Sequence, residues 1–138
     1  MAFSLEIVTP EDQVYSNTIE SVALPTAAGE IEVLPGHVPL LSVLEAGELR
    51  IIKLGELEVI AVDKGFVKVQ GDVVTVLTEA AIDIKDVDLS EVAAAESRAK
   101  KALEEAYKRR DVDPAEIERL EAITRFSVAQ RVAKNKYL

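Results

Sequence analysis

The spacing of apolar residues changes once along this chain, near residue 86, and this change constrains the fold more than any other feature. Before it, apolar and polar residues alternate in short runs rich in Val, Ile and Leu, such as FSLEIV, TIESVAL and LEVIAV. Alternation with a period of two is typical of strands that bury one face. Turn residues such as Pro35-Gly36 and Gly71-Asp72 separate the runs, with no helical segment between them. Residues 1–85 therefore predict an antiparallel β-sandwich or a flattened barrel.

Beyond this point the apolar spacing becomes helical. Asp88 has the position of an N-cap residue, Glu91 follows three positions later, and strong helix formers continue the segment. Asp113-Pro114 marks the start of a second helix, and the short connection makes the two helices antiparallel. Residues 86–138 are therefore predicted to form a helical hairpin, and the whole chain an α+β protein.

The predicted apolar faces of the two helices are narrow, and alanine dominates the first of them. Alanine lets two helices approach closely but buries little area, and each buried CH₂ contributes only about 0.8 kcal/mol. We therefore expect the hairpin to need the sandwich or a partner to stay folded. A weakly held element is also one that can move.

The net charge of −9 lies entirely in residues 1–85, which hold 5 basic and 14 acidic residues. Residues 86–138 hold 11 of each. Within them, residues 122–138 contain no acid and four cations, which are Arg125, Arg131, Lys134 and Lys136. An acidic body repels phosphate and argues against nucleic-acid binding. The basic end predicts a docking point for an acidic protein surface, although cations in a last helical turn also complement the helix dipole.

The chain contains no cysteine, which excludes disulfides, thiolate nucleophiles and zinc sites built on thiolates. No apolar run approaches the ~18 residues of a membrane-spanning helix. The first residues, MAFSLEIVTPEDQVYS, carry acids within a strand-like alternation and lack the basic start and apolar centre of a signal peptide. We therefore expect a protein that is made and kept in the cytoplasm.

Motifs for catalysis or metal binding are missing, so we predict no catalytic residues and no metal site. Glu30 and Glu32 lie two positions apart on one predicted strand, which is more typical of a solvated strand face than of an acid–base pair. The only histidine, His37, lies in the segment VLPGHVPLL and has no evident nucleophile or orienting group. Two interpretations stay open: a turn histidine that bonds to the backbone, and a contact residue in a loop stiffened by Pro35 and Pro39.

Residues 24–51, LPTAAGEIEVLPGHVPLLSVLEAGELRI, resemble the epsilon subunit of the bacterial F-type ATP synthase. That family has Gly-Glu, an apolar-Gly-apolar step, Leu-Pro-Gly-His, Pro-Leu-Leu and then Gly-x-apolar-Arg-apolar; in this chain Glu32 stands where the step usually has glycine. The matching positions here are Gly29-Glu30, Ile31 to Val33, Leu34 to His37, Pro39 to Leu41 and Gly47 to Ile51. VTPEDQVYS near the start, GFVKVQGDVVTVLTEAA at 65–81 and RFSVAQ at 125–130 are also similar, so the resemblance covers the whole chain.

The resemblance implies a sandwich of ten strands followed by a helical hairpin, in a non-catalytic rotor subunit of the central stalk. It implies that the sandwich, residues 1–85, binds the gamma subunit and rests on the ring of c subunits, with Glu30 and His37 as the polar groups at the ring. The protein is then peripheral at the cytoplasmic face of the bacterial cell membrane. There it couples the catalytic head to proton transport.

The resemblance also implies a regulatory hairpin, residues 86–138. In this family the hairpin lies folded on the sandwich or extends along gamma toward the alpha and beta subunits, where it blocks ATP hydrolysis. The cations implied in that inhibitory contact are Arg125, Arg131, Lys134 and Lys136. The narrow, alanine-rich apolar face of the hairpin is consistent with an element that occupies two alternative positions.

Some members of this family bind ATP between the helices and the sandwich through an apolar-Asp-x-x-Arg-Ala motif and further arginines. Val87-Asp88 matches the start of the motif, but Glu91-Val92 stands where Arg-Ala is expected. Arg98 and Arg125 match two family arginines, while Glu121 replaces another. Carboxylates in place of phosphate-facing cations oppose ATP binding. We therefore expect no required cofactor, and ATP at most as a weak regulatory ligand at Asp88, Arg98 and Arg125.

The sequence therefore leaves three functional hypotheses, each from a different class. The first is a rotor and regulatory subunit of ATP synthase. The second is a nucleotide-sensing module that binds ATP in the crevice between hairpin and sandwich. The third is a small all-β enzyme, which the missing catalytic motifs disfavour.

Overall fold

The computed structural model describes residues 2–137, and all element bounds refer to that part of the chain. Its strands are β1 (Phe3–Val8), β2 (Gln13–Ile19), β3 (Ser21–Thr26), β4 (Gly29–Val33), β5 (Leu40–Leu44), β6 (Gly47–Lys53), β7 (Glu56–Val62), β8 (Gly65–Gln70), β9 (Val73–Thr78) and β10 (Ala81–Asp83). A single 3₁₀ turn (Ile84–Asp86) leads to the helices α1 (Leu89–Lys108) and α2 (Pro114–Lys136). The predicted α+β fold, a ten-stranded sandwich followed by a two-helix hairpin, is confirmed.

The ten strands form one sheet that folds over itself into two layers. Its order is β10-β7-β6-β3-β5-β8-β9-β1-β2, and β4 pairs with the other edge of β3. β3 joins the layers because it pairs with β6 at its start and reaches β5 at its end, where Thr26 lies opposite Leu44. β1 runs parallel to β9, which is the one parallel pair among the strands of residues 2–137. The sandwich is therefore antiparallel, as predicted, except at this pair.

The core lies between the two layers and is built from alternate positions of the strands. Its fully buried side chains include Leu5, Ile7, Ile19, Val22, Leu24, Leu44, Leu49, Ile51, Val62, Val67 and Val74. Burying one such side chain contributes roughly 1.5–3 kcal/mol, so this aliphatic core is the main source of stability of the sandwich. The alternation seen in the sequence is the consequence of this one-sided burial.

Three strand assignments differ from the sequence-based expectation. The run TIESVAL contains the end of β2 and the start of β3, because the chain bends at Glu20, whose amide N–H donates to the Ile52 carbonyl oxygen (2.8 Å), and the two strands pair with different neighbours. β5 was not predicted, since it follows Pro39 directly and alternates between two partly apolar faces. β10 was not predicted either, because its three residues are too few to show a period.

The hairpin lies on the outer face of one layer. α2 packs against β6 and β7, and α1 packs against α2. Val59 and Ala61 of β7 are buried beneath Phe126 and Ala133 of α2. The residues that the two helices bury are mostly small, as the narrow apolar faces predicted: Ala99, Ala106, Ser127, Ala129 and Ala133. The hairpin therefore contributes little apolar area of its own, and its stability depends on contact with the sandwich.

Both helices begin at the predicted cap residues. The Asp88 carboxylate accepts hydrogen bonds from the Ser90 hydroxyl (2.8 Å), the Ser90 amide (3.0 Å) and the Glu91 amide (3.3 Å). These donors hold the pKa of Asp88 below its usual value, with the Ser90 hydroxyl contributing most. Asp113 caps α2 in the same way, through the Ala115 amide (2.9 Å), and Pro114 is the first helical residue.

At Gly65 the strands β8 and β9 approach closely. Replacement of this glycine tests the register in which these two strands pair. A Cβ atom at this position would lie 1.8 Å from the Leu77 carbonyl oxygen of β9. We expect Gly65→Ala to destabilise the protein by about 3 kcal/mol, at the upper end of the usual penalty for overpacking. Urea denaturation measures this, with Gly47→Ala as the control, since a Cβ there meets only the Pro25 ring at 3.3 Å. Equal stability of the two variants would contradict the register.

Candidate functional site

The sandwich layer that the hairpin leaves uncovered carries a row of apolar side chains. Val43 of β5 lies opposite Phe66 of β8, Phe66 lies opposite Leu77 of β9, and Leu77 lies beside Val8 of β1. We call these four residues the open-face row. Val43, Phe66 and Leu77 are 46%, 54% and 50% exposed. A contiguous apolar row on an otherwise acidic sandwich indicates a surface that contacts another protein.

On the other layer, an arginine–carboxylate pair joins the hairpin to the sandwich. Arg125 of α2 donates from Nε to Oδ1 of Asp63 (2.6 Å) and from Nη2 to Oδ2 (3.1 Å). Asp63 follows β7 directly, and its side chain is only 3% exposed. Two parallel hydrogen bonds make this the strongest geometry for such a pair. The Asp63 carboxylate raises the pKa of Arg125, so the guanidinium keeps its charge.

The other three cations of the basic end also have partners within the folded protein. Lys134 donates from Nζ to the Ile84 carbonyl oxygen (2.7 Å) in the 3₁₀ turn. Lys136 donates to Oε1 of Glu48 on β6 (3.0 Å). Arg131 donates to Oε1 of Glu96 on α1 (3.4 Å). The four cations predicted to meet the catalytic head are therefore all engaged while the hairpin is folded.

Two carboxylates at the hairpin oppose this docking. Oε2 of Glu48 and Oε2 of Glu96 are buried and have no hydrogen-bond partner among residues 2–137. A buried acceptor without a partner costs roughly 1–3 kcal/mol. These two groups therefore offset part of the stabilisation that the ion pairs give to the docked hairpin.

The two residues assigned to the c ring lie at different ends of β4. Glu30 is its second residue and forms an ion pair with Arg50 of β6. His37 lies in the loop that follows the far end of β4, where its amide N–H donates to the Leu34 carbonyl oxygen (3.1 Å) and closes a turn. Its Nδ1 lies 2.6 Å from the Val38 carbonyl oxygen, a contact that requires a proton on Nδ1. This geometry favours the interpretation as a turn histidine, and the ring remains partly exposed.

The three residues that match the family's ATP site are not connected to one another by hydrogen bonds or ion pairs in the described part of the chain. Asp88 caps α1, Arg125 is paired with Asp63, and Arg98 is exposed on α1. Across residues 2–137 no hydrogen bond or ion pair connects any two of the three. The ATP site therefore stays a prediction.

A cleft of about 520 Å³ lies between α2 and the sandwich. Its lining is mostly apolar and consists of Pro25, Ala46, Gly47, Val128, Ala129, Val132 and Ala133 together with Glu30, Glu48 and Arg125. The two carboxylates outnumber the one cation, and that cation is already paired with Asp63. This charge balance disfavours a phosphate-bearing ligand in the cleft.

One further side chain, that of Tyr15, has a strongly shifted pKa. Burial, with the nearby Glu58 carboxylate, raises the pKa of Tyr15 to about 12, and the Tyr15 hydroxyl donates to Glu58 (3.3 Å). In the part of the chain that the structure describes, no group of three His, Asp or Glu side chains could hold a metal ion. Within the same range, no helix combines the length and the apolar composition needed to cross a bilayer.

Comparison with known proteins decides the family. Residues 2–84 match the family model described as ATP synthase, Delta/Epsilon chain, beta-sandwich domain. An ATP synthase epsilon chain from Halalkalibacterium halodurans is 37% identical over 128 residues, which cover 92% of this chain and 96% of the relative. The chain belongs to the ATP synthase epsilon chain family. Another epsilon chain, from Desulfitobacterium hafniense strain Y51, is 39% identical over 128 residues and is covered to 96%.

Solved structures share the fold of this epsilon chain. A chain of the Euglena gracilis mitochondrial ATP synthase, in a structure of OSCP/F1/c-ring, has a TM-score of 0.72 at 20% identity and covers 96% of this chain and 81% of its own. A chain of the Tetrahymena thermophila mitochondrial ATP synthase central stalk/c-ring has a TM-score of 0.57 at 14% identity and 95% coverage of both. At these identities the likeness shows the fold alone.

Membership of the epsilon chain family confirms the resemblance seen in the sequence. The protein is thus an accessory subunit of ATP synthase and not its catalytic one, as the resemblance implied. The family match ends at residue 84, just where the 3₁₀ turn begins.

Sequence reasoning did not single out Glu48 and Asp63, which hold the hairpin, and it noted Arg50 only as the arginine of the family motif at Gly47 to Ile51. Asp63 precedes the turn residues Lys64-Gly65, and its partner Arg125 is 62 positions away. The one available signal was an acid placed directly after the apolar run VIAV, in a position that tertiary packing buries.

Removal of the Arg125 guanidinium tests whether this pair holds the hairpin. Arg125→Met leaves the buried Asp63 carboxylate without a cation, so we expect the amides of α2 to exchange about ten- to a hundredfold faster. Hydrogen exchange followed by NMR or mass spectrometry measures this. The control is Arg109→Met, which removes a similarly short but exposed pair with Glu116 (2.8 Å) and should change the exchange rate less than about fivefold. Equal effects of both substitutions would refute the assignment.

Proposed function

We propose that this epsilon chain is the non-catalytic rotor subunit in the central stalk of a proton-translocating ATP synthase, where it couples the catalytic head to the c ring. The open-face row carries this proposal, because it offers an uncovered apolar surface on the rigid sandwich, opposite the layer that holds the hairpin. The two similar structures come from F1/c-ring and central-stalk assemblies, which supports the same surroundings for this chain.

The gamma subunit is the partner that we assign to the open-face row. Phe66 lies at its centre, with Val43 and Leu77 on neighbouring strands, which is the arrangement of an aromatic anchor within an apolar patch. The loop that contains His37, together with Glu30, is assigned to the c ring. On the basis of these assigned contacts, we propose a peripheral position at the cytoplasmic face of the bacterial cell membrane.

Substitution at the centre of the open-face row tests the contact with gamma. Phe66→Glu places a charge within the apolar contact, so we expect the affinity for purified gamma to fall about tenfold to a hundredfold. Isothermal titration measures this, and a circular-dichroism melt shows that the sandwich is intact. Leu54→Glu is the control, since Leu54 is 86% exposed but lies in the turn between β6 and β7. Unchanged binding by Phe66→Glu would rule out this face.

The hairpin is proposed to inhibit ATP hydrolysis when it leaves the sandwich and extends toward the alpha and beta subunits. Arg125, Arg131, Lys134 and Lys136 each have a partner in the folded position. The partners of Arg125, Lys134 and Lys136 lie outside the hairpin, so these three cations lose them when the hairpin leaves the sandwich. Arg131 pairs with Glu96 of α1, which belongs to the hairpin itself. The folded and inhibitory positions therefore compete for three of the four cations, and any ligand that favours one depletes the other. The small apolar area that the hairpin buries keeps both positions accessible.

Removal of the hairpin tests the inhibitory role. We expect a chain that ends at Asp86 to assemble with gamma and the c ring and to raise the ATPase activity of the reconstituted enzyme about fivefold or more, within the usual range of coupling between sites. ATPase assays at low and high ATP measure this, with the full chain carrying Lys108→Gln as the control. Hydrolysis that stays unchanged under all nucleotide conditions would exclude inhibition by the hairpin.

A nucleotide-sensing role is the alternative. Its supporting observation is the cleft between α2 and the sandwich, which has the size of a small-molecule site and has Arg125 at its wall. Glu30 and Glu48 line the same cleft from the sandwich side and repel phosphate. The rotor role is therefore the better supported of the two.

A further inference from the structure

The charged residues that surround the open-face row are separated by sign. Lys64 comes two positions before Phe66 and Lys68 two positions after it, so both lysines flank this ring on the same side of the sheet. Both lysine side chains are exposed. Lys68 lies opposite Thr75 of β9, and Thr75 lies beside Glu6 of β1. The strand β8 therefore gives the open face a basic end.

The opposite end of the same face is acidic. Glu6 comes two positions before Val8, and Glu79 comes two positions after Leu77, so both carboxylates flank the part of the row that β1 and β9 provide. No ion pair within residues 2–137 involves any of these two glutamates or the two lysines. The four charges are therefore available to a partner.

The two ends of the face are far enough apart to act separately. Strands β8 and β1 are two strand spacings apart, which is about 10 Å, since neighbouring strands lie about 4.8 Å from each other. This distance is close to the Debye length at physiological salt. A charged group of a partner at one end is therefore affected mainly by the end that it faces.

A cavity of about 320 Å³ opens beside the row. Its apolar wall consists of Val8, Phe66 and Leu77, and the exposed residues Lys64 and Glu79 also line it. An apolar pocket with a polar border is the place where an interface holds an anchoring side chain of the partner. The row thus offers a recess for one side chain in addition to a surface.

We propose that the open face binds a segment of gamma that carries one large apolar side chain between a carboxylate and a cation. The apolar side chain enters the cavity beside Phe66 and Leu77. The carboxylate faces the two lysines of the basic end, and the cation faces the two glutamates of the acidic end. Only the identity of the partner as gamma rests on the proposed function, because the chemistry of the segment follows from this face.

The separation of charge fixes the direction in which the segment lies. An apolar row alone accepts a partner in either of two opposite directions. With charges of opposite sign at its ends, the reversed direction brings like charges together, which excludes it. In the proposed rotor role, this surface therefore holds the sandwich on gamma in one orientation.

Reversal of the charges tests the direction. In isothermal titration of the full chain with purified gamma, Glu6→Lys and Lys68→Glu should each weaken binding about two- to fivefold. The variant with both substitutions has the natural net charge but the reversed polarity, and it should bind more weakly than either single variant. The control reverses a pair of exposed residues on α1, Lys101→Glu with Glu105→Lys, and should leave binding unchanged.

A dependence on net charge alone would give a different pattern. One single substitution would then strengthen binding, the other would weaken it, and the double variant would bind as the natural chain does. That pattern would overturn the proposal.

Filling the cavity tests the anchoring side chain. Leu77→Trp places a larger ring in the recess, so we expect about tenfold weaker binding of gamma although the apolar surface increases. Val43→Trp is the matched control, because it adds the same ring at the end of the row away from the cavity, and it should change binding less than about threefold. A circular-dichroism melt shows that both variants are folded. Natural affinity of Leu77→Trp would overturn the proposal.

The Phe66→Glu titration separates this proposal from the contact with gamma itself. If Phe66→Glu weakens binding and the charge and cavity variants do not, the contact with gamma stands and the proposed chemistry of the segment is wrong. If Phe66→Glu binds gamma as the natural chain does, both are wrong. Sedimentation equilibrium of the full chain checks for a different occupant, since a dimer that Phe66→Glu dissociates would assign this face to a second copy and overturn the proposal.

Discussion

The apolar outer face of β7 is the feature on which the rest of this structure depends. Val59 and Ala61 are buried on the side that faces away from the core, beneath α2 and beside Ile84 of the 3₁₀ turn. Without that cover the sandwich would expose apolar surface on both of its outer faces. The hairpin therefore covers one layer, and its small side chains keep the buried area low. The position of α2 on the sandwich is specific because the ion pair between Arg125 and Asp63 fixes it.

The two outer faces of the sandwich thus have different tasks. One carries the open-face row and stays available whatever the hairpin does. The other carries the hairpin, and its charged border on β4 and β6 holds two separate ion pairs, Arg50 with Glu30 and Lys136 with Glu48. In the proposed rotor role, this separation lets one face keep a constant contact with gamma while the hairpin changes position. The ion pairs of the hairpin are suited to such exchange, because a cation that leaves a carboxylate can bind another one elsewhere.

Much of the fold could be predicted because local patterns in the chain agree with the tertiary structure. The alternation in FSLEIV and LEVIAV predicted strands, and Asp88 and Asp113 predicted both helix starts. The failures have physical causes. TIESVAL contains a one-residue bend at Glu20 that separates β2 from β3, and β10 is too short to show a period. The parallel pairing of β1 with β9 leaves no local signal, because register between distant strands depends on packing.

The sequence by itself determined the two-part architecture, the helix caps and the family, since each depends on residues that are close together in the chain. The tertiary structure decided which charges meet. Asp63 with Arg125, Glu48 with Lys136 and Glu30 with Arg50 are separated by 62, 88 and 20 positions. An ion pair carries no sequence period, so only the folded sheet, with α2 laid across it, brings these partners together.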